Sequence, residues 1–305
     1  MSVLVVDKPI GPTSFAVLKQ VQRALIRSKG GAGERAPKLG HGGTLDPMAS
    51  GVLPVCVGEA TKVIPFLLDA DKEYEAIFRF GIETDTLDAS GQVLSEKPVG
   101  DLDASRLEAA LASFRGEIEQ VPPMFSALKH HGKPLYRYAR AGQTIERPAR
   151  RVTVYELVLC AFEAPDRARL RIRCSKGTYI RSLAADLGRA LGVGAHMAEL
   201  RRTASGPFRL AQAMTLDEID AAVDEGRALP VISLREALAH LPAVTVSDAL
   251  ALRLARGQRM RWEELGSGVV EHGPLCVVLP SEALVAVVDR GAEDAVSSLR
   301  VFNVG

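Results

Sequence analysis

The chain has 305 residues, more than most single domains, so we expect one large domain followed by a small one. Hydrophobic residues make up 47% and charged residues 25%, proportions typical of a globular protein with a sizeable core, which excludes extensive disorder. Lys and Arg number 38 against 37 Asp and Glu, so the net charge of +1 gives no general sign of a polyanionic partner. A nucleic-acid-binding surface would have to be a local cluster of positive charge.

The cysteines and the first residues bear on the cellular compartment. No two cysteines form a CxxC pair, and we expect four reduced core thiols at Cys56, Cys160, Cys174 and Cys276. The opening MSVLVVDKPIGPTS lacks the basic and apolar regions of a signal peptide, and no apolar run approaches about 18 residues. We therefore expect a cytoplasmic protein that does not associate with membranes.

The first predicted elements are a strand, a helix and a loop. Residues 3–6 (VLVV) are typical of a buried strand that ends at the turn DKPIGPTS. Ser14 is predicted to cap a helix over residues 15–26, where the apolar positions have helical spacing. The segment RSKGGAGERAPK, rich in glycine and charge, is predicted to be a mobile surface loop.

Strand and helix patterns then follow one another irregularly. In KEYEAIFRFG, the side chains of Tyr74, Ala76, Phe78 and Phe80 share one face of a half-buried strand. The spacing predicts two helices over ASRLEAALASF and TYIRSLAADLGRAL, and two strands over RVTVYELVLCAFE and ARLRIRCS. We expect an α+β fold. The irregular order and the lack of an internal repeat exclude a barrel of eight equal βα units.

The pattern changes after residue 229. The dipeptides Leu229-Pro230 and Leu241-Pro242 interrupt it, and three short strands are predicted over LCVVLP, ALVAVVD and SLRVFNV. We place a domain boundary near residue 238 and expect a compact β-rich module after it.

Common cofactor and metal motifs are missing from the sequence. There is no GxxxxGK[ST] loop, and the glycines of GGAGER do not follow a strand with GxGxxG spacing. The six histidines form no HExxH or HxH set. Binding of a nucleotide cofactor or a metal is therefore disfavoured.

The segment GHGGTLDPMASGVLPVCVGEATK, residues 40–62, holds a candidate catalytic carboxylate. Its glycines allow a ligand to approach the backbone, and Pro47 restricts Asp46 so that the carboxylate lies on a stiff turn. Many loop aspartates only brace their loop, and spacing alone supports the two interpretations equally.

Two further segments contribute positive charge. Residues 124–151 contain seven cations against one acid, Glu146, and two interleaved tyrosines: Lys129, Lys133, Tyr136, Arg137, Tyr138, Arg140, Arg147, Arg150 and Arg151. We call residues 124–151 the basic run. Such a mixture suits phosphate contacts and base stacking, although a solvated basic face is the alternative. In CSKGTYIRSLAADL, Arg181 near a carboxylate would hold it ionised and lower its pKa, while Tyr179 alone is more typical of a core residue.

Several segments in one order resemble the bacterial tRNA pseudouridine-55 synthases of the TruB type. They are DKPIGPTS, GHGGTLDPMASGVLPVCVGEATK, DKEYEAIFRFGIETDTLDASG, PPMFSALKHHGKPLYRYARAG, and CSKGTYIRSLAADLG followed by HMAELRRTASG. The resemblance implies a pseudouridine synthase fold with a central mixed, mainly antiparallel sheet in residues 1–238. Residues 239–305 resemble, more weakly, the small PUA RNA-binding module that often follows this domain.

The resemblance also implies an activity and roles for six residues. The activity is isomerisation of uridine 55 in the T-loop of tRNA to pseudouridine without metal or organic cofactor. The matched residues are Asp46 as catalytic carboxylate, Arg181 as its partner, Tyr74 as the tyrosine that stacks on the flipped base, Tyr179 beside that base, Leu200 as the apolar wall, and His41 as the side chain that fills the vacated space. The T-arm of tRNA is the implied partner, held by the basic run, and we expect a monomer.

The chain departs from the family pattern at the entrance to this segment. Gly42 stands where many members have Thr, and the loop before the segment is longer. Neither difference changes a residue with an assigned role, but the longer loop affects the shape of the tRNA entrance.

Two other classes of function stay open. A noncatalytic RNA-binding or RNA-folding protein would use the basic run and the C-terminal module. A nucleoside or glycoside hydrolase would need a pair of carboxylates, and no second acid accompanies Asp46 in its motif.

Overall fold

The computed structural model describes residues 2–28, 36–266 and 273–302. Eight α-helices occur within these ranges: α1 Ser14–Arg27, α2 Ile64–Asp69, α3 Ala104–Leu111, α4 Leu135–Ala139, α5 Ile180–Ala190, α6 Leu216–Asp224, α7 Leu234–Ala237 and α8 Asp248–Ala255. The helices predicted over residues 104–114 and 178–191 correspond to α3 and α5. Most of the loop predicted over residues 27–38 lies outside the described residues.

The strands described form one large sheet, one small sheet and two hairpins. Their bounds are β1 Ser2–Lys8, β2 Leu39–His41, β3 Ala49–Val57, β4 Lys72–Phe80, β5 Ile82–Thr84, β6 Val93–Glu96, β7 Gly116–Gln120, β8 Lys129–His130, β9 Lys133–Pro134, β10 Arg150–Glu163, β11 Arg167–Cys174, β12 Ala195–Ser205, β13 Phe208–Arg209, β14 Ala243–Thr245, β15 Leu275–Val278, β16 Leu284–Arg290 and β17 Val296–Val301.

The large sheet has the order β1-β3-β12-β4-β11-β10-β7, with β2 added to β3 and β13 to β12. Its neighbours pair antiparallel except β12 with β3, which run parallel. The expected mixed, mainly antiparallel sheet is therefore confirmed.

One face of β4 and β11 carries the main core. In β11 every second residue is buried, from Ala168 to Cys174, and the arginines between them are exposed. The buried side chains pack with Phe78 and Phe80 of β4 and with Leu183 and Leu187 of α5. This alternation is the physical origin of the period-2 pattern in the sequence. Strand β3, in contrast, is buried along nearly its whole length.

The start of α1 differs from the prediction. Thr13 is the N-cap, and its hydroxyl accepts a hydrogen bond from the backbone N–H of Ala16 at 3.1 Å. Ser14 is the first helical residue and is buried; its hydroxyl bonds to the backbone of Leu45 instead. The expectation that Ser14 caps this helix was wrong, because two adjacent hydroxyl residues compete for the cap and a tertiary contact holds the second one.

The C-terminal module is β-rich as expected. Its sheet has the order β14-β15-β16-β17 and packs against α8. A shared apolar cluster joins the module to the large domain: Cys276, Val278 and Phe302 pack with Val3 and Val5 of β1. The two parts are thus joined by packed apolar side chains as well as by the chain itself.

The cysteines and the helices bear on two other expectations. Cys56, Cys174 and Cys276 are buried, but Cys160 is exposed on β10, so the expectation of four core thiols was wrong at this position. Cys160 lies next to a register irregularity between Leu159 and Ala161, where the inside-outside alternation of the strand breaks. Within the described residues, every helix is too short or too polar to span a membrane.

Candidate active site

A pocket of about 310 Å³ opens where the loop between β2 and β3 meets β4, β12 and the start of α5. Five of the six residues singled out from the sequence contribute to its wall: Asp46, Tyr74, Tyr179, Arg181 and Leu200. They come from three separate parts of the chain: the loop after β2, strand β4, and the segment that contains the start of α5 and β12. The pocket also includes Lys72 and Arg202, which the sequence analysis did not select.

The loop that carries Asp46 is fixed on one side by the beginning of the chain. The ammonium group of Lys8, which is fully buried, donates to the carbonyl oxygens of Pro47 at 3.3 Å and Ala49 at 2.7 Å. The backbone N–H of Gly11 donates to Pro47 at 2.8 Å. Ser14 bonds to both the N–H and the carbonyl of Leu45, each at 2.9 Å. The DKPIGPTS turn therefore holds the backbone on both sides of Asp46.

A buried arginine fixes the same loop from the other side. Arg202, on β12, is 1% exposed and donates to the carbonyl oxygens of Val52 at 2.8 Å and Gly43 at 3.0 Å. Gly43 has φ of +137°, and a Cβ atom there would lie 3.4 Å from Nη1 of Arg202. Glycine is thus favoured both by the backbone conformation and by the tight fit against the guanidinium. Asp46 is held on a loop with little freedom to move.

Asp46 forms an ion pair with Arg181. Its Oδ2 atom lies 2.9 Å from Nη2 of Arg181, whose side chain is 5% exposed, whereas the aspartate side chain is 37% exposed toward the pocket. The same guanidinium donates to the carbonyl oxygens of Thr86 at 3.1 Å and Phe125 at 2.8 Å. Arg181 therefore orients the carboxylate while leaving part of it open to a ligand.

A second carboxylate lies behind Arg181. Oδ2 of Asp88 is 3.6 Å from Nη1 of Arg181, and the aspartate side chain is only 5% exposed. Its Oδ1 atom accepts hydrogen bonds from the hydroxyl groups of Thr86 at 2.7 Å and Ser90 at 2.5 Å. Asp88 lies outside the pocket wall. It therefore holds Arg181 in place and does not form the exposed pair of carboxylates that a hydrolase would need.

The pKa of Asp46 departs from the expectation. Burial raises the pKa of this carboxyl above its ordinary value, the guanidinium of Arg181 lowers it by less, and the charge of Asp88 adds to the rise. Arg181 thus lowers the pKa by charge and hydrogen bonding, as expected, but burial outweighs it and the net shift is upward. Since part of the carboxylate is open to water, solvation offsets some of the rise.

Two tyrosines line the pocket. Tyr74 lies on β4 and packs against the main core; burial raises its pKa to about 12, so the hydroxyl is protonated at neutral pH. Tyr179 immediately precedes α5, and the amide of Gln120 fixes its backbone with bonds of 2.7 and 3.0 Å to its N–H and carbonyl. Leu200 on β12 supplies apolar surface to the same pocket and is 9% exposed. A flat ring would be enclosed on several sides.

His41 lies at the end of β2 and outside this pocket. Its Nδ1 atom is buried and has no hydrogen-bond partner among the described residues. Burial lowers the pKa of His41, and the charge of Arg202 lowers it further. The imidazole is therefore neutral at physiological pH.

The basic run forms a surface of its own near the pocket. It contains the hairpin of β8 and β9 followed by the short helix α4. Five of its cations are exposed: Lys129, Arg137, Arg140, Arg150 and Arg151. Arg140 lies 5.6 Å from the ring of Tyr136, and Lys133 lies 4.4 Å from the ring of Tyr138. The basic run also contacts the active site, because the carbonyl of Phe125, at its start, accepts a hydrogen bond from Arg181.

Five residues that support the site were not singled out from the sequence: Lys8, Lys72, Asp88, Gln120 and Arg202. Four of them lie inside segments that carry the resemblance, and Gln120 lies two residues before one. The segments therefore indicated the site, but nothing in them marked these individual residues. The roles of Lys8, Gln120 and Arg202 depend on contacts with backbone groups distant in sequence, which no sequence spacing reveals.

Known proteins resemble this chain along most of its length. Residues 32–180 match the model of the TruB family pseudouridylate synthase N-terminal domain, and residues 181–240 match the tRNA pseudouridylate synthase B C-terminal domain. The chain is 51% identical over 265 residues to tRNA pseudouridine synthase B of Cupriavidus pinatubonensis, covering 86% of this chain and 81% of that protein. It is 46% identical over 305 residues to the Burkholderia mallei protein of the same name, covering 99% and 97%.

Solved structures show the same fold. The protein in a Cbf5-Nop10-Gar1 complex superimposes with a TM-score of 0.76 and 30% identity, covering 99% of this chain and 85% of that one. An H/ACA RNP bound to a substrate RNA containing 2′-deoxyuridine gives a TM-score of 0.73 with 28% identity, covering 99% and 85%. Fold and pocket place the chain among the pseudouridylate synthases. Within that class, it belongs to the TruB family.

Proposed function

We propose that this chain isomerises uridine to pseudouridine at position 55 in the T-loop of tRNA, with Asp46 as the catalytic carboxylate. The observation that carries the proposal is the convergence of Asp46, Arg181, Tyr74, Tyr179 and Leu200 in one pocket. Their roles were assigned from separate motifs, and their assembly around a space suited to a flat ring supports that assignment. The name shared by the curated relatives favours tRNA as the substrate.

The pocket suits a base that has left its stack. An enzyme reaches the glycosidic bond of a structured RNA only after the nucleotide is extruded, which costs a few kcal/mol. Stacking of the base on Tyr74 would offset about 1 to 3 kcal/mol of that cost. Tyr179 and Leu200 would exclude water from the other sides, and Arg181 would keep Asp46 aimed at the ribose end of the base.

The basic run and the C-terminal module would hold the rest of the RNA. Exposed cations beside the pocket suit the phosphates of the T-arm, and Tyr136 and Tyr138 offer flat faces between them. We assign residues 1–238 to the catalytic domain and residues 239–305 to a PUA-like RNA-binding module. The shared apolar cluster with β1 would keep the module in one position relative to the pocket.

The direct experiment incubates the purified chain with an unmodified tRNA transcript, without added metal or cofactor, and maps pseudouridine along the RNA. We expect a single modified site at position 55 and none in a transcript with cytidine at that position. Release of free uracil in proportion to turnover would instead indicate a hydrolase. RNA binding without any modification would indicate the noncatalytic RNA-binding protein.

The matched variant is Asp46→Asn, which keeps the size of the side chain and removes its charge. The rate of isomerisation should fall by at least about 10⁴-fold, because the group that takes part in both bond breaking and bond making is lost. Affinity for tRNA should stay close to that of the unmodified protein, since a carboxylate does not bind phosphate. An Asp46→Asn variant that formed pseudouridine at the normal rate would contradict the assignment.

A further inference from the structure

Two buried cations line the pocket without forming an ion pair. Lys72 is 7% exposed and Arg202 1% exposed, and both contribute to the same wall as Tyr74. Within residues 2–28, 36–266 and 273–302, no carboxylate forms a salt bridge with either of them, whereas Arg181 has both Asp46 and Asp88. A buried charge is costly unless it is compensated, so this arrangement requires an explanation.

Backbone carbonyl groups compensate both charges only in part. The ammonium group of Lys72 donates to the carbonyl oxygens of Leu68 at 2.6 Å and of Ala70. Arg202 donates to Gly43 and Val52, as described above. Carbonyl dipoles solvate a cation but do not cancel its charge. Burial and the charge of Arg202 together lower the pKa of Lys72 to about 8, against the opposing charges of Asp69 and Asp71, and the amine stays mostly charged at neutral pH.

The charges in the pocket are therefore uneven. At the carboxylate end, the charges of Asp46 and Asp88 are balanced by those of Arg181 and the nearby buried Lys8. Lys72 and Arg202 carry two positive charges at the side where Tyr74 lies. An anion that formed against Tyr74 would meet a positive potential without any further movement of the protein.

The proposed reaction forms such an anion. When the C1′–N1 bond breaks, its electron pair stays on N1, and the uracil leaves as an anion with its charge spread over N1, O2 and O4. The ribose is balanced in one of two ways: the Asp46 carboxylate bonds to C1′, or it takes the proton from C2′. In both cases one unit of negative charge leaves Asp46 and appears on the base. Reattachment forms the C5–C1′ bond while the Asp46–C1′ bond breaks, or while the Asp46 carboxyl returns its proton to C2′, so the negative charge goes back to Asp46. The C5 proton is then lost and N1 is protonated, which leaves a neutral base.

We propose that Lys72 and Arg202 form a cationic wall that stabilises the detached uracil anion between bond breaking and reattachment. This inference rests on the proposed function. The wall is built before substrate arrives, because the carbonyl groups that hold both side chains belong to the loop of Asp46 and to the end of α2. Fixed charges aimed at the place where charge develops lower the barrier most effectively.

The experiment compares Lys72→Met with the unmodified protein on two transcripts, one with uridine and one with 5-fluorouridine at the target position. The electronegative fluorine stabilises the detached base as an anion, so a fluorinated base depends less on the protein for that stabilisation. Disappearance of the target nucleoside is followed in single turnover with saturating enzyme, and tRNA affinity and thermal unfolding are measured in parallel. Lys72→Arg keeps the charge, and Lys19→Met removes an exposed lysine from α1.

We expect Lys72→Met to react about 10²-fold more slowly with uridine, at unchanged tRNA affinity, and this deficit to shrink clearly with 5-fluorouridine. Lys72→Arg should recover most of the rate, and Lys19→Met should match the unmodified protein. Arg202→Lys, which keeps the charge but loses the fork that holds the loop, should show equal deficits with both bases.

Equal deficits of Lys72→Met with the two bases would overturn the inference, because a purely structural role does not depend on the stability of the leaving base. A normal rate with uridine would overturn it as well. Both results leave the proposed function intact, since that function fails only if the unmodified protein forms no pseudouridine in tRNA.

Discussion

The pocket and the basic run use charge in opposite ways. In and behind the pocket, specific partners fix the buried charged groups: two carboxylates fix Arg181, and backbone carbonyls fix Lys8 and Arg202. In the basic run, most cations are exposed, and the ion pair of Arg151 with Glu117 spans 3.5 Å between side chains that are 74% and 65% exposed. Loss of one group in the pocket should therefore slow the chemical step strongly. Loss of one cation in the basic run should weaken tRNA binding only by the contribution of that cation.

Among the substitutions that test this contrast between the pocket and the basic run, we expect the largest effect at Arg181. Arg181→Met leaves Asp46 and Asp88 without their shared cation, and the rate should fall by about 10² to 10³-fold while tRNA affinity changes little. Without a cation between them, ionisation of both carboxyl groups also becomes less favourable. The measurement is the single-turnover rate with saturating enzyme, which separates the chemical step from binding.

The pH dependence of the same variant gives a second readout. Burial already raises the pKa of Asp46 and Arg181 opposes that rise, so removal of Arg181 should raise the pKa further. The reactive form is the carboxylate, which is present above the pKa and lost as the pH falls through it. The acid limb of the rate profile should therefore move to higher pH. Arg181→Lys keeps the charge and should move it less; an acid limb that stayed in place in Arg181→Met would refute the pairing.

A smaller and additive effect is expected in the basic run. Neutralising Arg137, Arg140 and Arg151 together should weaken tRNA binding and make the slope of log K against log salt less steep by about 2 to 3. The matched control neutralises Arg167, Arg169 and Arg171, which are exposed on β11. An equal change in both triple variants would mean that total charge, rather than the basic run, determines the slope.

The comparison also explains how much the sequence could predict. Periodicity located β4, β11, α3 and α5, because burial on one face leaves a local pattern. The basic run could also be predicted from the sequence, because an exposed cation needs no partner from another part of the fold. The contacts inside the pocket could not be predicted, because they join residues far apart in sequence. Arg202, for example, donates a hydrogen bond to the carbonyl of Gly43, 159 positions earlier. The net direction of the pKa of Asp46 depends on burial, which is a property of the assembled pocket.

Neighbouring residues at the start of α1 give the smallest and most local test. Thr13 caps the helix from an exposed position, and Ser14 binds Leu45 beside Asp46. Thr13→Ala should cost about 1 kcal/mol of unfolding free energy and leave the rate unchanged. Ser14→Ala leaves two buried backbone groups without a partner, which costs about 1 to 3 kcal/mol.

Ser14→Ala should also slow the single-turnover rate by roughly tenfold at unchanged tRNA affinity, because small displacements of a catalytic group reduce reaction rates strongly. Denaturant unfolding and single-turnover kinetics on both variants separate the two effects. If Thr13→Ala slowed the reaction as much as Ser14→Ala, general loosening of α1 would explain both. A rate loss confined to Ser14→Ala would mean that the hydroxyl acts on chemistry through the backbone of Leu45, one residue before Asp46.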